Sequence, residues 1–193
     1  MKHPPHEIYF ASRAISASWI KKHADTLRFH PNCPCRNYRF PAVVALIRNV
    51  ITSEPTGIHR IFLRDDGTGK REMPDDMSPK QMLGRAKDGA VMLGGIANGH
   101  LGIAEGVETA LSAAQIFKVT TWAALSAGGI ADFPILPSVK FLRIFADHDQ
   151  AGISAARKCR RRYKAAGIEV EVRYPPTSGT DWNCFLTEEN PNG

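Results

Sequence analysis

Residues 140–152 read KFLRIFADHDQAG, and the way this stretch ends decides the fold. An apolar run (Phe141, Leu142, Ile144, Phe145, Ala146) stops at Asp147-His148-Asp149, and Gly152 follows three residues later. Two carboxylates one residue apart repel unless something positive stands between them. The sequence offers a metal ion, nearby arginines or plain solvent as the answer. If strand geometry persists through residue 149, side chains two apart point the same way, and Asp147 and Asp149 converge on one point.

The neighbouring segments supply a frame for that point. Upstream, LGIAEG (101–106) reads as a short buried strand ending in Glu105-Gly106. VETALSAAQIF (107–117) follows with Val107, Ala110, Leu111, Ala114 and Phe117 at helical spacing. TTWAALS (120–126) is a second strand, closed by the turn signal AGG, and KFLRIFAD is the third. Downstream, residues 150–167 form a helix with Ile153, Ala156, Cys159, Tyr163 and Ala166 on one stripe and Gly167 at its C-terminal end. IEVEVRYPP (168–176) is a fourth strand, and TDWNCFL (180–186) a short last helix. Strands that are apolar throughout and alternate with helices predict an α/β fold with a mostly parallel sheet, covered on both faces. In such sheets ligands collect at the carboxyl ends of the strands, where Glu105 faces Asp147 and Asp149.

The first half of the chain is less regular. A helical stretch is predicted around residues 7–24, and LRFHPNCP (27–34) reads as a loop because of its prolines. FPAVVALIRN (40–49) and PTGIHRIFLRDDGTGK (55–70) read as β-rich, with Pro55, Gly57 and the Asp-Asp-Gly run as turns. SPKQMLGRAKDGAVMLGG (78–95) reads as a basic loop with a short strand, and GGIANGHLG (94–102) as the hinge between two parts, 1–97 and 98–193.

With 193 residues, 43% hydrophobic and 23% charged, the composition is that of an ordinary globular protein. No apolar run approaches the roughly 18 residues of a membrane span, and the N-terminus has no apolar signal core. A cytoplasmic protein without a membrane partner is expected. The net charge of +6, from 25 basic and 19 acidic residues, is a mild sign of nucleic-acid binding. His30, Cys33 and Cys35 lie close together in HPNCPC, but a structural zinc site pairs two Cys-x₂₋₄-Cys units, and Cys159 and Cys184 are isolated. No zinc is expected.

Glu105-Gly106, Asp147-His148-Asp149, the DQAG…AA continuation and TDWNCFL together resemble the Toprim domain, the catalytic module shared by bacterial primases, topoisomerases of types IA and II and certain nucleases. Order, strand placement and spacing agree over residues 98–187, and the upstream LRFHP, PAVVALIRN, GIHRIFL and KQMLG are similar to the lobe that precedes Toprim in primases of phages, plasmids and other mobile elements. The resemblance implies a Mg²⁺ (or Mn²⁺) site on Glu105, Asp147, Asp149 and Asp181. It implies nucleotidyl transfer on a single-stranded DNA template, with nucleotides as substrates and a replicative helicase supplied in trans. Thr109 stands where primases usually carry an Asp, and His148 where they often carry Gly. Neither a separate zinc-binding domain nor a helicase region is read in this sequence. A topoisomerase is disfavoured, since no strand-passage or tyrosine-bearing module fits in this length.

A hard cation suits phosphoryl transfer, and a few oxygen ligands are enough for it. Asp147 and Asp149 are the expected holders, Glu105 a ligand or an acid/base, and Asp181 a further ligand or a helix cap. Glu108 reads as a first-turn helix acid, His148 as pointing away from the aspartates, and His30 and His59 as structural. Arg157, Lys158, Arg161 and Lys164 lie in ARKCRRRYK, a solvated face or a phosphate-backbone contact. Arg60, Lys80 and Arg85 are candidates for a template or nucleotide groove, with Lys80 favoured by the resemblance. Trp122, Trp182 and Tyr163 are candidates for base stacking, Trp122 more simply for core. Two other functions remain open: a catalytically reduced accessory or inhibitor module on a primase core, and a Toprim nuclease.

Overall fold

A computed structural model describes residues 4–190. The predicted 7–24 helix is two short helices, α1 (Pro5–Ala11) and α2 (Ala17–Lys22), separated by a turn in which Ala14 takes a left-handed φ of 55°. The strands β1 (Leu27–Cys35), β2 (Tyr38–Asn49), β3 (Pro55–Phe62), β4 (Lys80–Gly84) and β5 (Gly89–Val91) follow, all paired antiparallel. The expected loop at 27–34 is therefore strand β1. Its prolines are accommodated because β1 pairs only with β2 and its register breaks between His30 and Cys33, as proline on an edge or at a bulge allows.

The second half follows the predicted alternation. It runs β6 (His100–Ala104), α3 (Val107–Phe117), β7 (Thr121–Ala123), α4 (Ala127–Ala131), β8 (Phe141–Phe145), α5 (Gln150–Ala165), β9 (Glu169–Arg173) and α6 (Trp182–Glu189). The expected turn at AGG is the short helix α4, capped by Ser126, whose Oγ accepts the Gly129 N–H at 2.9 Å. A Cβ at Gly129 would fall 1.9 Å from the Ala124 carbonyl oxygen, so this tight entry needs glycine.

All nine strands form one sheet in the order β4-β3-β2-β5-β7-β6-β8-β9, with β1 beside β2. The sheet is mixed: β7, β6, β8 and β9 are parallel, the rest antiparallel. The two halves join at a single register pair, Val91↔Ala123. One core packs α1, α2, α3 and α6 against one face and includes residues of both halves, from Tyr9, Val43 and Ile61 to Leu111, Phe145 and Trp182. On the other face α4 and α5 cover Leu101, Ile103, Leu142 and Ile144. Ala104 and Phe145 go to the first core, so β6 and β8 are buried on both faces at their carboxyl ends, whereas His100 and Arg143 nearer their starts are polar. Among the described residues no helix is long and apolar enough to cross a membrane.

Candidate active site

Glu105 and Asp147 leave the carboxyl ends of the adjacent parallel strands β6 and β8, which pair Ala104 with Phe145. Burial raises the Glu105 pKa, the Lys80 ammonium opposes it, and the charges of Asp149 and Asp181 add to it. Burial pushes Asp147 up to about 7, and Glu105, Asp181 and Asp149 all push the same way against Lys80. Asp147 Oδ1 is buried and has no hydrogen-bond partner among the described residues. The four acids singled out in the sequence therefore share one electrostatic neighbourhood.

Strand geometry does not persist to residue 149. It ends at Phe145, and Asp149 instead caps α5, its Oδ1 accepting the Gly152 N–H at 2.7 Å. Gly152 explains the close of the motif: a Cβ there would lie 2.4 Å from the Asp147 carbonyl oxygen, so only glycine lets the first turn of α5 sit against Asp147. Asp181 caps α6 in the same way, Oδ1 accepting from the Asn183 and Cys184 N–H groups at 2.8 Å each. Its Oδ2 faces the Thr109 hydroxyl at 3.4 Å. His148 braces this arrangement. Its backbone exchanges hydrogen bonds with Thr180 and Gly179, and its Nδ1 lies 2.9 Å from the Pro175 carbonyl oxygen, so the 175–181 loop is held beside Asp147.

Oxygen-only donors suit Mg²⁺ or Mn²⁺, and an unpartnered buried carboxylate oxygen among like charges is the feature a cation would satisfy. Among the described residues no three Asp, Glu, His or Cys side chains are arranged to grip an ion together. One oxygen of Asp149 and one of Asp181 are already committed to helix caps. The donor chemistry thus fits a hydrated ion held at Asp147 and flanked by the other acids, not a closed cage.

Of the basic candidates, Lys80 opens β4 in the first half, yet its charge lowers the pKa of Glu105, Asp147 and Glu108 on the second. Arg60 is held among the antiparallel strands of the first half. It donates to the Pro34 carbonyl at 2.8 Å and to Gln81 Oε1 at 3.4 Å, and lies over the Phe62 ring. Arg85, just after β4, is exposed. On α5, Arg157, Arg161 and Lys164 line one open groove with Arg160, whereas Lys158 pairs with Asp132 at 2.7 Å. Arg162, on the same helix, donates to the Ala131 and Phe133 carbonyls, so part of the basic run ties α5 to α4.

Trp182 and Tyr163 are 5% and 0% exposed, which overturns them as stacking candidates, and Trp122, 1% exposed, is core as its place in a strand suggested. Glu108 is the first-turn helix acid expected from the sequence, but its buried partners were not foreseen. It is buried, accepts from the Tyr9 hydroxyl at 2.7 Å and pairs with the Lys70 ammonium at 2.8 Å. Burial works to raise its pKa, but Lys70, chiefly, and Lys80 win and hold it at about 2. No local signal announces this pair, because Tyr9, Lys70 and Glu108 are brought together only by the fold.

Residues 100–191 match the Toprim domain family, and residues 1–93 match a domain of unknown function, DUF7146. No curated protein matches the chain. Among solved structures it is similar to the Aquifex aeolicus primase zinc-binding and RNA polymerase domains (18% identity, TM-score 0.61), covering 93% of this chain and 51% of that one. It is similar to the primase fragment of the bacteriophage T7 primase-helicase (16%, 0.62), covering 94% and 69%. A DnaG primase catalytic domain bound to single-stranded DNA gives 15% and 0.63, covering 96% and 68%. The chain therefore spans about half to seven tenths of these primase chains. It carries a Toprim domain. Its fold as a whole is the one seen in primase catalytic cores, first half included.

Proposed function

We propose that the chain is a primase-type nucleotidyltransferase that uses Mg²⁺ or Mn²⁺ and copies a single-stranded DNA template, as a cytoplasmic protein of a mobile element working with a helicase supplied in trans. The observation that carries this reading is Asp147. A buried carboxylate oxygen without a partner, surrounded by Glu105, Asp149 and Asp181, is a costly arrangement that a divalent cation relieves. Asp147 and Asp149 would hold the ion, with Glu105 and Asp181 beside it. The ion would supply charge neutralisation at the reacting phosphate. Asp147 keeps its Oδ1 available because no donor among the described residues competes for it. Asp149 and Asp181 keep fixed orientations through their helix caps, and Lys80 presents a cation to the same space from the opposite half. Lys80 and Arg85 would guide a nucleotide or template phosphate towards the acids, and Arg157, Arg161 and Lys164 would add sequence-independent phosphate contacts.

The test is primer synthesis on single-stranded DNA with Mg²⁺ or Mn²⁺, for the wild type and for Asp147→Ala. Labelled oligonucleotides from the wild type alone support the reading. Metal-dependent cutting without synthesis assigns a Toprim nuclease, and tight DNA binding with neither activity assigns an accessory or inhibitory module.

A further inference from the structure

A second charged cleft lies at the other end of the parallel strands. Its volume is about 690 Å³, and it opens where β6 and β7 begin, between α2 and the 94–98 loop, whereas the acids lie where β6 and β8 end. Lys22, His100, Lys118 and Arg143 line it, and no Asp or Glu does among the described residues. Four separate elements deliver these groups: α2, the start of β6, the end of α3 and the middle of β8. Arg143 is paired with Glu171 at 2.6 Å, and Glu171 also takes Arg173 at 2.6 Å, so the cleft's free positive charge comes chiefly from Lys22 and Lys118. Lys22 lies over the Trp19 ring at 4.9 Å, and Lys118 sits at the end of α3 with a left-handed φ of 55°, both exposed to the cleft.

The rim is shaped for an incoming group. Gly94 has φ +96° and its carbonyl takes the Trp122 indole N–H at 2.8 Å, which pins the loop to the core. The next residue, Gly95, has no atom within 4 Å of where a Cβ would stand, so backbone is open to the cleft. Two lysines that face one cleft with no carboxylate in its lining among the described residues favour an anion between them, and low-dielectric walls focus the field of such a cleft. Phosphate groups are the anions that Arg and Lys clusters hold through charge-assisted hydrogen bonds.

We propose that this cleft binds a phosphate chain, from a free nucleoside triphosphate or from a nucleic-acid strand, at a site separate from the carboxylates. The site rests on the chain's own cations and not on a bound divalent ion. It therefore stands whether or not the acids carry out primer synthesis.

Trp19 is the natural reporter, since Trp122 and Trp182 are buried and Lys22 lies on its ring. In EDTA, tryptophan fluorescence of the full chain is followed while inorganic tripolyphosphate, ATP or a short oligo(dT) is added. A saturable change with at least one of these is expected. Trp19→Phe should remove it, and Lys22→Ala/Lys118→Ala should weaken binding about tenfold, as expected for losing two partly screened cationic contacts. Asp147→Ala should leave it unchanged. Response to tripolyphosphate and ATP assigns a free nucleotide, and response to oligo(dT) alone assigns a strand. No saturable change with any probe, or equal binding by the double variant, overturns the site.

Discussion

Asp147→Asn should make the protein more stable while abolishing the proposed chemistry. In the folded state the Asp147 pKa rises from 3.8 to about 7, chiefly through burial, then through Glu105, Asp181 and Asp149. A carboxyl whose pKa is raised on folding binds more protons folded than unfolded between those two values. Stability is then whole below the lower value and is lost as pH climbs through the upper one. Complete linkage over that window would amount to about 4 kcal/mol. Asp147 is only half-buried, and solvent screening brings the expected penalty at neutral pH to about 1–2 kcal/mol. Asparagine keeps the shape and removes the charge, so its melting temperature in EDTA at about pH 8 should exceed the wild type's by about 3–6 °C. At about pH 3, where Asp147 is protonated folded or unfolded, the two should melt together. Millimolar Mg²⁺ should raise the wild type and leave the variant nearly unchanged, because an ion that binds only the folded state stabilises it by mass action. Thermal and urea unfolding at both pH values, with and without Mg²⁺, gives the whole set. A variant no more stable than the wild type at about pH 8, or an advantage that survives at about pH 3, would refute the reasoning.

Lys70→Met strands the buried Glu108 charge and should cost about 3–5 kcal/mol in urea unfolding, whereas Lys70→Met combined with Glu108→Leu should recover most of that loss. Glu108 titrates in the opposite sense to Asp147: its pKa falls from 4.5 to about 2 on folding, so its stabilisation holds above 4.5 and is lost as pH drops towards 2. Acid unfolding of Glu108→Gln should accordingly show a shallower loss across that window, read by circular dichroism. Gly152→Ala pushes a Cβ against the Asp147 backbone, and should lower primer synthesis and Mg²⁺-linked stabilisation together, by displacing Asp147 and not by removing it.

The second half of the fold was legible because its inner strands are largely buried and its helices carry clear stripes, so period and punctuation agreed. What misled were residues whose conformation depends on an absent or distant neighbour. Pro31 and Pro34 argue for a loop only if the strand has partners on both flanks, and β1 has one. Asp147 and Asp149 looked like alternate strand residues because sequence does not mark where a ladder stops; the capping of α5 by Asp149 decides it. Glu105, Asp147 and Asp149 were readable from their places at strand ends, whereas Asp181 joined them only through the resemblance to Toprim domains. The pairing of Glu108 was not readable, since its partners Tyr9 and Lys70 are remote in the chain and meet it only after the halves have packed. The three aromatic side chains have flat faces on paper, but the core takes those faces first.

The single register pair Val91↔Ala123 has a mechanical consequence. Lys80 belongs to one side of that joint and the carboxylates it influences to the other. The core shared by both sides, from Tyr9 and Ile61 to Leu111 and Trp182, and the Tyr9, Glu108 and Lys70 contacts clamp the molecule where its ladder is thinnest. The placement of Lys80 relative to the carboxylates is thus an outcome of side-chain packing and not of strand pairing, and a core substitution far from the acids would be felt at Asp147 through distance alone.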